Sequence, residues 1–102
     1  MTKIAIIGGG KIGEALLAGL IAGGVSPKDI AVTNPNPDRG KELAERYGVV
    51  DFTDNVQAAD GADFVFLCVK PKDTLHVLLE IADVVDSNDG DTTVISMAGG
   101  IT

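Results

Sequence analysis

The sequence predicts an α/β protein, a doubly wound parallel sheet with helices on both faces and a strand order of 3-2-1-4-5. Three observations carry this prediction. Short apolar runs rich in β-branched residues alternate along the chain with stretches whose apolar residues recur every three or four positions, the signature of successive βαβ units. The first run, Ile4-Ala5-Ile6-Ile7, breaks into Gly8-Gly9-Gly10-Lys11-Ile12-Gly13 and resumes as a helix. Phe64 to Val69 is continuously apolar, as a parallel strand covered on both faces should be.

Taken in order, the first helix spans Lys11 to Ala22, with Ile12, Ala15, Leu16, Gly19 and Leu20 as its expected apolar stripe and Gly23-Gly24 as its stop. Pro27 and Asp29 form a turn before a second strand, Ile30 to Thr33. Asn34-Pro35-Asn36-Pro37 ends it, and Asn36 as cap with Pro37 at the first position starts a helix that turns Leu43, Ala44 and Tyr47 inward and stops at Gly48. Val49-Val50 is a brief third strand, and Thr53 or Asp54 caps a short helix through Val56 and Ala59. After the Phe64–Val69 strand, Lys70-Pro71 leads into a helix with Leu75, Leu78, Leu79, Ala82 and Val85 as its expected buried stripe. Residues 88–91 turn, Thr92 to Ser96 is a fifth strand, and residues 97–102 are a loop.

Gly8, Gly10 and Gly13 fit Gly-x-Gly-x-x-Gly after a strand and before a helix, which makes the expected fold Rossmann-like. In that fingerprint the first glycine permits the turn, the second lets a pyrophosphate approach the main chain, and the third lets helix pack on strand. The helix start adds unpaired N–H groups and a partial positive charge. A net charge of −7 argues against nucleic acid and at first against a phosphate-bearing ligand too. The conflict resolves locally: Lys11, Arg39, Lys70 and Lys72, four of the eight basic residues, follow carboxyl ends of strands and gather on one edge. Taken singly, Lys72 reads better as a solvated lysine at an element end.

Where an NAD site carries an acid, at the end of the second strand, this chain has Asn34. Asn34 and Asn36 can donate amide hydrogens and Arg39 can pair bidentately with a 2′-phosphate, so NADP(H) is favoured over NAD(H). Asp38 fits that reading only as an ordinary first-turn acid. Asn55 either meets the adenosine half or caps a helix, and spacing favours the cap. His76 reads as exposed, Cys68 as a small core residue, and no metal cluster or nucleophilic set is present, so no catalytic or metal-binding residue is assigned. One domain fits 102 residues, and a function that needs two is not contained in them. With no apolar run of membrane length and no signal-peptide layout, the expected setting is soluble and cytoplasmic.

The glycine loop, the Thr33-to-Arg39 turn, the Phe66-Leu67-Cys68-Val69-Lys70-Pro71 strand end and the Ser96-Met97-Ala98-Gly99-Gly100-Ile101 loop together resemble the N-terminal domain of the pyrroline-5-carboxylate reductases. The resemblance implies reduction of 1-pyrroline-5-carboxylate to L-proline by hydride from NADPH or NADH. It implies that residues 7–12, from Ile7 through Gly8, Gly10 and Lys11 to Ile12, hold the pyrophosphate. Asn34, Asn36 and Arg39 hold the adenosine ribose and its phosphate, and Asn55 the adenosine side, ahead of its cap reading. Val69, Lys70 and Pro71 border the nicotinamide half, and Met97 and Ala98 close on the ring. The family commonly has Asn and Met where this chain has Lys11 and Ile12, and it varies where this chain keeps Gly13. It also has a helical C-terminal domain that makes the dimer and most of the imine-carboxylate pocket, so this piece is expected to bind dinucleotide weakly and turn nothing over. The alternatives are a deazaflavin-dependent NADP reductase of the same plan and a non-catalytic dinucleotide sensor.

Overall fold

The computed structural model describes residues 2–8, 10–88 and 92–96. Its elements are β1 (Ile4–Ile7), α1 (Lys11–Ala22), a 3-10 turn (Pro27–Asp29), β2 (Ile30–Thr33), α2 (Pro37–Tyr47), β3 (Val50–Phe52), α3 (Asn55–Ala59), β4 (Phe64–Leu67), α4 (Pro71–Ser87) and β5 (Thr93–Ser96). All pairings are parallel and the order is β3-β2-β1-β4-β5, as expected. Side chains alternate across a strand, so β1 feeds two cores. Ile4 and Ile6 join Leu17 of α1 and Leu43 of α2 on one face. Ala5 and Ile7 join Ala58 and Ala59 of α3 and Val77 and Ile81 of α4 on the other.

Local chemistry sets the α2 boundaries. The Asn36 carboxamide oxygen accepts from the Asp38 amide at 3.0 Å, Pro37 occupies the first position, and Gly48 closes the helix at φ +79. Gly40, buried in the same helix, faces β3: a β-carbon there would meet the Asp51 carboxylate.

Two helical stripes are rotated from their expected phase. In α1 the buried residues are Gly13 and Leu17, flanked by half-buried Leu16, Leu20 and Ile21. Ala15 and Gly19 face outward, and Ile12 is 51% exposed. Most of α1 is apolar, so periodicity alone leaves its phase open; the contact of Gly13 with the Gly8 carbonyl fixes it. In α4, Val77 and Ile81 are buried and Leu78 and Val85 packed beside them, whereas Leu75 and Leu79 are 67% and 70% exposed and Ala82 faces out. That helix carries two overlapping apolar stripes, and the β-branched one meets the sheet.

Strand ends shift by one to two residues. β3 is Val50–Phe52, with Val49 buried just before it, and β4 stops at Leu67. Phe64, at the start of β4, is 37% exposed, so the cover over that strand is incomplete at its amino end. Among the described residues no helix is long and apolar enough to cross a membrane.

Candidate functional site

The chain leaves β1 pinned on both sides. The Gly8 amide donates to the Thr33 carbonyl at 3.0 Å, and the Cys68 amide donates to the Ile7 carbonyl at 2.7 Å. Between these bonds Gly8 turns at φ +95, and a β-carbon there would lie 2.6 Å from the Cys68 carbonyl oxygen. Gly13 sits so close to the Gly8 carbonyl that a β-carbon would overlap it. Gly10 is the opposite case: its backbone is extended, φ −78 and ψ −162, and a β-carbon would meet nothing within 4 Å. Two fingerprint glycines therefore serve the fold, and the middle one leaves open space before the helix.

That space faces the start of α1. Gly10 is its N-cap with no side-chain capping bond, and the first helical bond runs from the Glu14 amide to the Gly10 carbonyl at 2.8 Å. The amides of Lys11, Ile12 and Gly13 lie in the first turn, where the helix itself offers no acceptor, so they can serve an anion. Lys11 is exposed beside them. Gly9 lies outside the described residues, as do Met97 and Ala98.

After β2, Asn34 accepts from the Asn36 amide at 2.8 Å, and Asn36 caps α2. Because a backbone N–H fixes which side-chain atom is the oxygen, the other atom of each carboxamide is the –NH2 donor. Asp38 is exposed in the first turn of α2, where the helix dipole favours an acid.

Arg39 differs from expectation. Its Nη2 is 2.6 Å from Glu14 and its Nη1 is 2.9 Å from Glu42, so carboxylates already occupy both terminal nitrogens. The Tyr47 hydroxyl donates to Glu14 at 2.8 Å, and Arg46 donates to it at 2.7 Å. Hydrogen bonds from Tyr47 first, then Arg39, and from Arg46 hold the Glu14 carboxyl at about 2, against an ordinary 4.5. Its stabilising contribution is therefore complete above about pH 4.5 and disappears as pH falls through about 2. A carboxyl-carbon NMR titration should give Glu14 a midpoint near 2, rising toward the ordinary value in Tyr47→Phe. A midpoint near 4.5 in the unmodified chain would contradict the network.

On the α3 and α4 face, a cavity of about 380 Å³ opens at the carboxyl ends of the strands. It brings together Ile7, Gly8, Asn34, Asn55 and Val69 from the expected set. Asp54, not Asn55, caps α3, accepting from the Val56 amide at 2.9 Å. Asn55 instead joins three elements: it accepts from Thr33 Oγ1 at 2.6 Å and donates to Glu80 at 2.7 Å. Sequence reasoning missed Thr33, Pro35, Thr53 and the α4 wall of Asp73, His76, Val77 and Glu80. The spacing 73, 76, 77, 80 is one helical face, hidden by the wrong phase. Asp73 and Glu80 make this wall unsuited to a phosphate and suited to neutral hydrogen-bonding groups.

Lys70 is the N-cap of α4 and Pro71 its first residue; both are exposed, as is Lys72. Cys68 packs against the α1 and α2 core, and burial pushes its thiol up, which keeps it neutral. Among the described residues no group of His, Cys, Asp and Glu could hold a metal ion.

Residues 3–100 match the family model described as NADP oxidoreductase, coenzyme F420-dependent. The chain belongs to that family. Within it the chain is similar to pyrroline-5-carboxylate reductases, as the loop and strand-end motifs implied. It is 57% identical over 101 residues to that of Corynebacterium melassecola, covering 99% of this chain and 37% of that protein. The structure of a pyrroline-5-carboxylate reductase from Coxiella burnetii superposes with a TM-score of 0.84 at 35% identity, over 93% of this chain and 35% of that one. That of Plasmodium falciparum, with NADP bound, has a TM-score of 0.78 at 21% identity over 97% of this chain and 34% of that one, a likeness of fold. The chain thus spans little more than a third of the length of these relatives.

Proposed function

We propose that this chain is the NADP(H)-binding domain of a pyrroline-5-carboxylate reductase, an enzyme of proline biosynthesis. The observation that carries the reading is the division of labour among Gly8, Gly10 and Gly13, which leaves open space at an uncapped helix start. The first-turn amides of α1 and the Lys11 ammonium bind the pyrophosphate. The Asn34 and Asn36 amides and Arg39 take the 2′-phosphate, with NAD(H) as the weaker ligand. The cavity beside Asn55 takes the neutral adenosine portion. Val69, Lys70, Pro71, Met97 and Ala98 border the nicotinamide.

A reduced nicotinamide bound there would supply a hydride to the imine carbon of 1-pyrroline-5-carboxylate protonated on nitrogen, giving the amine of L-proline and the oxidised cofactor. This chain's residues orient the donor; the acceptor must be positioned and water excluded by a further domain, which also makes the homo-oligomer. The 102 residues alone are therefore expected to bind dinucleotide and to form no proline. The same proposal places the protein in the cytoplasm, away from membrane and nucleic acid.

The test is a titration of Arg39→Ala with both cofactors. NADPH affinity should fall about tenfold or more, the size of a charge-assisted pair, while NADH affinity changes little. Equal losses for the two would remove the 2′-phosphate assignment. The family description favours one second reading, a deazaflavin-dependent reductase. In the full-length protein, NADPH oxidation on adding the cyclic imine supports the first reading, and oxidation only on adding oxidised deazaflavin supports the second.

A further inference from the structure

Arg39 belongs to a closed ring of four alternating charges. From Arg39 the ring runs to Glu14 at 2.6 Å, on to Arg46 at 2.7 Å, to Glu42 at 3.1 Å and back to Arg39 at 2.9 Å. Two arginines and two glutamates leave it neutral. A phosphate dianion that grips Arg39 as a fork must take over a nitrogen from a carboxylate or lie beside one of like charge.

The two carboxylates are not equally ready to yield. Glu14 is 22% exposed and also accepts the Tyr47 hydroxyl at 2.8 Å, so moving it would break three contacts between α1 and α2. Glu42 is 48% exposed, lies three residues from Arg39 on the same helix, and keeps Arg46 when it releases Arg39. Departure of Glu42 leaves Arg39 anchored through Glu14.

We infer that Glu42 is a specificity-determining residue, a carboxylate that holds one nitrogen of Arg39 until the 2′-phosphate of an adenine dinucleotide replaces it, and that Glu14 is the positioning residue that keeps Arg39 in place during the exchange. The inference rests on Arg39 being the 2′-phosphate partner. A dinucleotide with a 2′-hydroxyl has no dianion to exchange, so the cost of displacing Glu42 falls on the phosphorylated form alone. The ring lowers the preference for NADP(H) below what Arg39 by itself would give.

Titrations with NADPH and NADH should separate the two glutamates by sign. Glu42→Gln should tighten NADPH roughly two- to fivefold, the size of an exposed ion pair, and leave NADH unchanged. Glu14→Ala should weaken NADPH relative to NADH; Glu14→Gln replaces it if the thermal midpoint shows a loosened fold. Each substitution removes one negative charge, so a long-range charge effect would move both ratios the same way. Equal shifts, or an unchanged ratio in Glu42→Gln, overturn the exchange. An unchanged ratio in Arg39→Ala overturns the underlying 2′-phosphate reading instead.

Discussion

Gly8→Ala should cost the fold about 3 kcal/mol or more, a large part of the 5–15 kcal/mol typical of a small domain. Two effects add. The backbone stands at φ +95, where a side chain strains the main chain by about 1–2 kcal/mol. The new β-carbon would also lie 2.6 Å from the Cys68 carbonyl oxygen and 3.1 Å from a methyl of Val69. A carbonyl oxygen at the end of a strand has little room to retreat, because the amide of the same residue donates to Ile7 at 2.7 Å. Relief therefore means parting β1 from β4 at the centre of the sheet. A fall in Tm of more than about ten degrees is expected, at about 4–8 °C per kcal/mol. Gly24→Ala provides the control: its φ is +105, but nothing lies within 4 Å of the added carbon, so only strain remains. If Gly8→Ala loses no more than Gly24→Ala in urea or thermal melts, the contact with β4 is not a constraint.

The elements that the sequence located to the residue are those whose boundaries are set by local chemistry. β2 and α2 are the clearest: Asn36 caps, Pro37 pre-sets the first helical dihedral, and Gly48 takes the left-handed conformation. The strand order was legible for a similar reason, since alternating strands and helices with a glycine fingerprint after the first strand leave few right-handed arrangements. The phases of α1 and α4 depend instead on contacts made across the fold. Gly13 reads as a motif glycine, but only its contact with the Gly8 carbonyl shows that it turns Ile12 outward.

The same distinction divides the site. Asn34 and Asn36 were legible as amides able to donate, from residue type and place alone, and the structure adds that their oxygens are consumed within two residues. Arg39 was legible as a cation at the right edge, but its partner Glu14 is 25 residues away and arrives only when α1 and α2 pack side by side. Spacing alone leaned toward a cap for Asn55, but Asp54, one of the two caps expected for α3, does that work one position earlier. The bonds of Asn55 to Thr33 and Glu80 span 22 and 25 residues, distances over which spacing carries no signal.

Gly10→Val should leave the fold standing and remove the binding. With φ −78 and ψ −162 the position is extended, a conformation that a β-branched residue adopts readily, and its surroundings are open. Stability should change by no more than about 1 kcal/mol, the cost of replacing a glycine N-cap by a poorer one. The side chain would instead narrow the open space at the start of α1, where the Lys11, Ile12 and Gly13 amides have no helical acceptor. A pyrophosphate held off those amides loses charge-assisted hydrogen bonds worth about 1.5–3 kcal/mol each, so dinucleotide affinity should fall at least tenfold. The pyrophosphate is common to both cofactors, so NADPH and NADH should lose equally, unlike the selective loss expected of Arg39→Ala. Gly10→Ala should fall between Gly10→Val and the unmodified chain, since one methyl obstructs less than three carbons. A stable Gly10→Val that still binds both dinucleotides would show that the pyrophosphate sits elsewhere. The open position in the loop would then be a consequence of the turn at Gly8, with no ligand behind it.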